Sequence, residues 1–385
     1  MRVRANAINV SVDDAHSYTF EPSGRLHAAF MRGRHYRRAL NHRILETWRV
    51  KPRGYDGLRQ RWLGPDESMG MVANIHTQVA TLTSSHAGNS DQVALERIAN
   101  WSPQLYENDA REFDQVYRPI SILPPDQYLS VVIQATEGCS WNKCSFCDFY
   151  SGQTFRIRPK DELRQHIADV RDFFGAGIGL RRSVFIGDGN ALSAPWPAVL
   201  DMFEAVKAGF PKPTVGPSWQ NTNAFIVTWG ARRLDVNRIG TLRDLGLKRV
   251  YLGLETGHDA LLAAVNKPGS AALAVDVVDR FKQAGVSVGI IVMLGIGGQA
   301  FAQDHVWDTI KTLNDMSLGA GDLVYFSPLV VSSHLQYAQD MWAANIKTLS
   351  EDEMLAQYAQ MRAGLDWDQN DRPKVALYNI RRFVY

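Results

Sequence analysis

The spacing of hydrophobic residues changes near residue 125. Before that point the chain mixes short apolar runs with arginines and polar turns, without a regular alternation of strand and helix. Beyond it, short runs rich in β-branched residues alternate with stretches in which apolar residues recur every three or four positions. The first spacing is typical of buried parallel strands, and the second of amphipathic helices. The chain from about 126 onward therefore predicts repeated strand-helix units.

About six such units can be followed. The predicted strands lie at 128–133, 183–186, 215–225, 249–252, 286–294 and 322–326, and the third is the least regular. Helices are predicted between them, for example over 161–174, where Leu163, Ile167 and Val170 share one face. Right-handed crossovers at this spacing build a parallel sheet covered by helices. Periodicity alone leaves two arrangements open, a doubly wound sheet and an incomplete barrel.

Composition narrows the class of protein only slightly. With 385 residues, of which 45% are hydrophobic, the chain can bury a large core. No stretch approaches the roughly 18 uninterrupted apolar residues of a membrane span, and no apolar signal segment follows the first residues. We therefore expect a soluble, cytoplasmic protein without a membrane partner. The net charge of +2 says little about partners.

The cysteines say more. There are only three, Cys139, Cys144 and Cys147, and they lie in one loop directly after the first predicted strand. This clustering argues against a disulfide framework and favours a metal or redox site, because soft thiolates select zinc, copper or iron-sulfur centres. Three ligands are one fewer than a structural zinc ion or an ordinary cluster takes. The open alternatives are a cluster with one iron free for another ligand, a zinc site completed by a distant histidine, and buried free thiols.

The loop resembles the signature of the radical S-adenosylmethionine (SAM) superfamily, whose three cysteines bind a [4Fe-4S] cluster with SAM on the fourth iron. Its Cys-x4-Cys-x2-Cys spacing has one residue more than usual between the first two cysteines. Phe146, the aromatic residue before the last cysteine, lies near the adenine by this resemblance. The same resemblance makes Gly187, Asp188, Gly189 and Asn190, which follow the second strand, the segment that contacts the methionyl amino group.

Two later motifs occur in the order along the chain that this family resemblance requires. Residues 251–259 (YLGLETGHD), followed by 266–269 (NKPG), resemble the fourth-strand motif of the branch that includes methylthiotransferases and cobalamin-dependent members. Glu255 is the candidate polar contact to SAM there. Residues 289–298 resemble the fifth-strand segment beside the adenine. The alternatives are that the glycines only allow tight turns and that Asp188 only caps a helix. His258 and His305 lie near this edge, but packing or solvent explains His305 better than ligation does.

The resemblance covers about 127–326 and implies a fold and a reaction. The fold is a partial (β/α)6 TIM-like barrel, with an N-terminal α+β extension over 1–125, a core over 126–326 and a C-terminal capping segment over 327–385. The implied cofactors are SAM and a [4Fe-4S] cluster that is bound by the three cysteines. An external electron donor of the flavodoxin or ferredoxin type would drive cleavage of SAM to a 5'-deoxyadenosyl radical, which abstracts hydrogen from substrate. No acid or base side chain is required, and none is predicted.

The substrate is much less defined. The Asp-x-His-x-x-Gly motif of a cobalamin domain is not matched by Asp14–Thr19, no cysteines remain for a second cluster, and Phe149 stands where anaerobic coproporphyrinogen oxidases carry another cysteine. The competing functions are transfer of a methyl or 3-amino-3-carboxypropyl fragment of SAM, and a non-catalytic zinc or iron-sulfur protein.

A basic strip in the first part of the chain offers one clue to the substrate. It runs from Arg32 to Arg61 and contains ten arginines and lysines against Glu46 and Asp56, interleaved with Tyr36, Trp48, Tyr55 and Trp62. Such a strip could hold an anionic small molecule first and nucleic acid second. Equally, it could be a solvated helix face whose arginines pair with acids elsewhere.

Overall fold

The computed structural model of the protein describes residues 2–4, 6–50, 57–83, 89–211 and 221–385. Its first part is an antiparallel sheet in which each strand pairs with the next along the chain. Buried Tyr18 and Phe20 alternate with half-buried neighbours in the third strand, as expected for a sheet covered on one face. In the described residues its seven strands are β1 (Arg2–Arg4), β2 (Ala7–Asp13), β3 (His16–Phe20), β4 (Leu26–Met31), β5 (Arg34–Arg38), β6 (Ile44–Arg49) and β7 (Leu58–Trp62).

Three helices follow this sheet and cover one of its faces: α1 (Pro65–Thr83), α2 (Asn89–Ala99) and α3 (Pro103–Val116). The Ser102 side chain accepts a hydrogen bond from the Leu105 amide and so caps α3, with Pro103 in its first turn. Ile8 and Phe20 from the sheet share one buried cluster with Val72 and Ile98 from the helices. The first part of the chain is therefore a strand meander with its own core, and the basic strip lies on strands, not on a helix. Lys51, Arg53, Tyr55 and Asp56 of that strip lie outside the described residues.

The second sheet is parallel, in the order β16-β15-β14-β13-β12-β11-β8. The remaining strands are β8 (Ser130–Gln134), β9 (Thr136–Glu137), β10 (Arg156–Ile157), β11 (Ser183–Gly187), β12 (Thr222–Ile226), β13 (Leu247–Glu255), β14 (Ser287–Leu294), β15 (Leu323–Pro328) and β16 (Lys374–Leu377). The helices among them are α4 (Lys160–Phe174), α5 (Trp196–Gly209), α6 (Val236–Asp244), α7 (Asp259–Ala264), α8 (Ala271–Gln283), α9 (Ala302–Asp315), α10 (Gln336–Ala343) and α11 (Glu351–Ala363).

The predicted α/β architecture is confirmed, with one addition. All six predicted strands have a counterpart, although part of the third prediction, 215–220, lies outside the described residues. The addition is β16, which pairs in parallel with β15 and extends the sheet beyond residue 326. In the described part of the chain the sheet keeps two edges, β8 and β16, as a partial barrel does.

Aromatic side chains fill the interior of this barrel. The rings of Phe185, Phe225 and Tyr251 lie 5.0–6.3 Å apart between centroids. A Cβ atom at Gly289 would lie 2.6 Å from the Tyr251 ring, so only glycine allows the ring to cross β14 at this point. Below these rings, Asp126 accepts hydrogen bonds from the hydroxyls of Tyr251 (2.5 Å) and Tyr325 (2.9 Å). The amino ends of the strands are thus closed by packed rings and paired polar groups.

The meander docks against this same amino end. Arg25 of the meander donates to Glu21 (2.8 Å) and Asp109 (2.6 Å), and Arg181, just before β11, lies 3.7 Å from Glu21. Arg37 lies over the Tyr128 ring, which precedes β8. Glu21, Arg25 and Arg181 are all nearly inaccessible to solvent. The two parts of the chain therefore share a buried charge cluster.

Two tyrosines cap the open edge of β8. The Tyr385 hydroxyl accepts a hydrogen bond from the Val132 amide, and the Tyr117 hydroxyl donates to the Val132 carbonyl, both at 2.9 Å. Each ring is buried. These hydroxyls satisfy backbone groups that another strand would otherwise pair with. The gap between β8 and β16 is thus sealed by residues from before and after the barrel.

Candidate active site

The three cysteines lie in the loop between β9 and β10, at the carboxyl end of β8. Several backbone contacts hold this loop in place. The amides of Ser145 and Cys147 donate to the carbonyls of Val265 (3.1 Å) and Cys144 (3.2 Å), and the Tyr337 amide donates to the Ser145 carbonyl (3.0 Å). The Asn266 side chain also donates to the Lys143 carbonyl (2.8 Å). The loop is therefore positioned by the turn after α7 and by the start of α10.

All three thiols are free, half-buried and face one cavity. Burial raises the pKa of Cys144 to about 11 and that of Cys147 to about 12. Binding a metal centre must therefore release their protons. Among the described residues, no group of three or more histidine, cysteine or acidic side chains already has the geometry of a bound metal ion. The chemistry of the donors, three soft ligands on one loop at one cavity, fits an iron-sulfur cluster with an open iron.

This cavity has a volume of about 260 Å³ and opens at the carboxyl ends of the strands. Most of its lining is apolar or aromatic. The charged lining residues among those described are Asp148, Glu255 and Lys267, in addition to the thiols. The cavity thus has the apolar walls and few polar groups that are usual for small-molecule sites.

Glu255 ends β13 and faces the cavity. Its φ angle of +62° places it in the left-handed region, which is uncommon outside glycine and is often found at functional sites. The carboxylate accepts a hydrogen bond from Lys267 Nζ at 2.9 Å, and both side chains are about 10% exposed. Burial alone would lower the pKa of Lys267, but the charge and hydrogen bond of Glu255, together with the nearby Cys144 and Cys147, outweigh burial and the pKa is raised. The two groups therefore form a charged pair at the wall of the cavity.

The segment 187–190 lies beside the cavity, but its residues differ in position. Only Gly189 lines it, with the Tyr150 ring so close that a Cβ atom would lie 2.6 Å away. Burial raises the pKa of Asp188 to about 7, and Tyr150 donates a 3.4 Å hydrogen bond to it. Asp188 therefore contacts Tyr150 and caps no helix in the structure. Gly187 ends β11 behind the lining.

Asn190 supports the cysteine loop from below. It is fully buried, and its amide nitrogen donates to the Ser140 hydroxyl at 3.1 Å, while Ser193 donates to the same hydroxyl at 3.0 Å. Its Oδ1 atom has no partner in the structure. Phe146 lines the cavity and packs against the cluster that contains Leu261 and Tyr337. The predicted SAM contacts thus gather around one cavity, with Phe146, Gly189 and Glu255 in its wall.

Sequence reasoning did not single out Lys267, Tyr150 or the residues after β15 that line the same cavity. Lys267 belongs to the NKPG segment that the family resemblance includes, so this motif could have identified Lys267 as a site residue. Tyr150 lies three residues after Cys147, without a pattern to distinguish it from a core aromatic. Leu329, Val330 and Ile380 reach the cavity only through the fold, so no local signal marks them.

His305 is fully buried, and its Nδ1 atom lies 2.8 Å from the Thr256 hydroxyl. Burial lowers its pKa to about 4. His258 pairs with Asp308 at 2.6 Å. Neither histidine lines the cavity, so the interpretation of His305 as a packing residue agrees with its position.

The basic strip lies away from the cavity. Glu46 pairs with Arg34 (2.7 Å) and Arg61 (2.5 Å), and Arg43 lies over the Trp62 ring. None of its described residues lines the cavity. Several of its described arginines pair or stack, as the alternative interpretation expected, but they lie on strands and turns and not on a helix face.

The parallel barrel, the triple-thiol loop after its first strand and the cavity at the strand ends are together typical of metal-dependent α/β barrel enzymes. Residues 133–313 match the model of the Radical SAM superfamily, so the chain carries a radical SAM domain. Domains of this superfamily use a [4Fe-4S] cluster and SAM as cofactors. The branch suggested by the fourth-strand motif stays a prediction. No curated protein matches the chain.

Solved structures with a similar fold include coproporphyrinogen III oxidase from Escherichia coli, a radical SAM enzyme (15% identity, TM-score 0.46, 66% of this chain and 54% of that one). Others are HydG, a maturase of the [FeFe]-hydrogenase (14%, 0.42, 78% and 65%), and a radical SAM methyltransferase from Kitasatospora setae with cobalamin and a [4Fe-4S] cluster bound (13%, 0.43, 65% and 57%). The chain thus spans about half the length of the oxidase. Among the described residues, no helix is both long and apolar enough to cross a membrane.

Proposed function

We propose that the protein reductively cleaves SAM to methionine and a 5'-deoxyadenosyl radical, and that this radical removes a hydrogen atom from a small-molecule substrate. The bound cluster supplies the electron that breaks the carbon-sulfur bond. The observation that carries the proposal is the convergence of three free thiols, Glu255 and an apolar cavity at the carboxyl end of the barrel. This is where parallel barrels place their chemistry.

The chain's own residues would bind, orient and protect the reactants. Cys139, Cys144 and Cys147 would hold the cluster, and Phe146, Gly189 and Glu255 would contact SAM from the cavity wall. Gly187, Asp188 and Asn190 would support that contact from behind. The apolar lining would exclude water from the radical. An external donor, flavodoxin-like or ferredoxin-like, would deliver the electron.

The test begins with anaerobic reconstitution of the whole chain with iron and sulfide. SAM and dithionite are then added, and 5'-deoxyadenosine is measured by mass spectrometry beside a Cys144→Ala control. We expect release by the wild type alone. A loaded cluster that leaves SAM intact would contradict the proposal, and bound zinc with no cluster would replace it with a structural metal site.

The same experiment separates the competing transfer reactions. Methyl transfer would leave S-adenosylhomocysteine, and transfer of the 3-amino-3-carboxypropyl fragment would leave methylthioadenosine. Either product in place of 5'-deoxyadenosine would change the assigned reaction while keeping the class of enzyme. The cavity itself favours none of these fragments, so the more common deoxyadenosyl reaction is the one proposed.

A further inference from the structure

The charged groups that line the cavity are few, and each lies close to a possible partner. Glu255 and Lys267 neutralise each other at 2.9 Å, and Asp148 lies 3.1 Å from the His334 ring. No other acidic or basic side chain lines the cavity in the described part of the chain, apart from thiols and tyrosines. Among the described lining residues, no unpaired cation is therefore available to a bound anion.

The residues predicted to contact SAM account for only part of the lining. Another part comes from the gap between β8 and β16 and from the chain after β15. We call Ile122, Phe149, Leu329, Val330, Tyr378 and Ile380 the apolar wall. Ser121, next to Ile122, donates to the Phe149 carbonyl at 2.9 Å, and the Tyr378 amide donates to the Phe326 carbonyl at 2.9 Å. Hydrogen bonds next to or within the wall thus fix it to the barrel.

The apolar wall contains one polar group, the Tyr378 hydroxyl. Burial raises the pKa of this tyrosine far above neutrality, and the hydroxyl interacts with Ser327. It is therefore an uncharged hydrogen-bonding group at physiological pH. A carboxylate or phosphate placed against the wall would lose its hydration and find no compensating charge. An apolar or aromatic group would lose only unfavourable contact with water.

We infer that the apolar wall binds an uncharged, predominantly apolar part of the substrate, such as an aromatic ring or a branched alkyl group. This inference rests on the proposed function, since the wall would face the site of radical chemistry. It differs from the anionic substrate expected from the basic strip, because none of the strip's described residues lines the cavity.

The experiment compares two ligands that share a ring system and differ in charge, 2-acetylnaphthalene and 2-naphthoate. Equilibrium dialysis measures their dissociation constants for the cluster-loaded full chain with SAM present. We expect the neutral ligand to bind at least about tenfold more tightly, because the anion pays desolvation without a partner. Equal affinities, tighter binding of naphthoate or binding of neither ligand would overturn the inference.

Two variants place a cation in the wall, Leu329→Lys and Ile380→Lys. Each variant should bind the neutral ligand more weakly and naphthoate more tightly, so that the ratio of the two dissociation constants approaches one or reverses. Trp342→Lys is the matched control, since Trp342 is 85% exposed and does not line the cavity, and its preference should equal that of the wild type. A change in Trp342→Lys as large as in the wall variants would also contradict the inference.

Release of 5'-deoxyadenosine is measured on the same wild-type samples. If SAM is cleaved but the neutral ligand is not preferred, the inference of an apolar substrate is wrong and the proposed function still holds. A clear preference without cleavage removes the proposed reaction while the apolar site stands. The two conclusions can therefore fail separately.

Discussion

The two ends of the barrel are built from different chemistry. At the carboxyl end, half-buried thiols and a charged pair surround an open apolar cavity. At the amino end, Asp126 binds two tyrosine hydroxyls, and Glu21 lies among buried arginines where the meander docks. The residues proposed to act in the reaction and the residues that hold the two parts of the chain together therefore lie at opposite ends of the barrel. Substitutions at one end should therefore change activity, and those at the other should change stability.

The largest effect is expected at the carboxyl end. Cys147→Ala should abolish cluster loading and SAM cleavage, while the free energy of unfolding of the cluster-free protein changes by less than about 1 kcal/mol for a half-buried loop side chain. Iron content, product release and urea unfolding measure the three quantities. Ser151→Ala, an exposed change on the same loop, should keep both iron and activity. A large loss of stability in Cys147→Ala would break the separation.

At the amino end, Glu21→Ala leaves Arg25 and Arg181 buried without their shared partner. Removing one member of a buried ion pair typically costs about 3–5 kcal/mol, and we expect a loss of this size in urea unfolding. The rate of SAM cleavage per folded, cluster-loaded molecule should not change. Glu107→Ala, an exposed change on α3, should stay within about 0.5 kcal/mol. Equal effects of the two variants would contradict the structural role of the cluster.

The meander should also make stability depend on pH. His76 Nδ1 lies 2.9 Å from the Ile98 carbonyl and Nε2 lies 2.8 Å from the Tyr106 hydroxyl, and burial lowers its pKa to about 4. Because the Ile98 carbonyl can only accept, Nδ1 carries the proton of the neutral ring and Nε2 accepts from the Tyr106 hydroxyl, which itself accepts from the Leu26 amide. Between pH 6.5 and 4 the unfolded chain binds the extra proton, so stability falls as the pH falls.

A shift of this size corresponds to about 3 kcal/mol lost across that range. His76→Gln removes the titrating ring, while other buried histidines are unchanged. The difference in stability between the wild type and this variant, measured by urea unfolding at pH 7 and pH 4, should therefore shrink as the pH falls. A constant difference would show that His76 does not titrate as its burial predicts.

The smallest expected effect concerns the sealed edge of β8. Tyr385→Phe removes the acceptor of the Val132 amide, and the loss should be about 1 kcal/mol, with faster hydrogen exchange at Val132. Tyr358→Phe is the control, because the Tyr358 ring packs on Phe326 at 5.3 Å away from this edge. An unchanged exchange rate at Val132 would show that the hydroxyl does not protect the strand.

Much of the parallel sheet could be predicted because its strands are continuous apolar runs. Val131 to Ile133 and Val184 to Ile186 are almost completely buried, as such runs require. β16 was missed because it is only four residues long, begins with an exposed lysine and is half-buried elsewhere. An α+β extension was predicted over 1–125, but its strands were not located, because the arginines break the apolar alternation while their stems and guanidinium groups still pack, as Arg37 does on Tyr128.

The candidate site was also only partly predictable from the sequence. Spacing and family motifs identified the cysteines and Glu255 as candidates, since each lies where a predicted strand ends. The apolar wall could not be found, because Ile122 and Ile380 meet only through the fold and carry no motif. The position of the basic strip relative to the cavity could not be predicted, because local charge does not reveal where on a barrel it will lie, and none of its described residues lines the cavity.

The tyrosine cap on β8 also bears on how the chain reaches its fold. The Tyr117 hydroxyl lies only 15 residues from Val132 along the chain, whereas the Tyr385 hydroxyl lies 253 residues away and arrives only after the intervening barrel has been made. Contacts of such long range form slowly, because the loop entropy must be lost before any bond is gained. Until then β8 presents an unpaired edge that other chains can join. The strand that leads to the cysteine loop is therefore the segment most exposed to misassembly during synthesis, and chaperone demand should be greatest there.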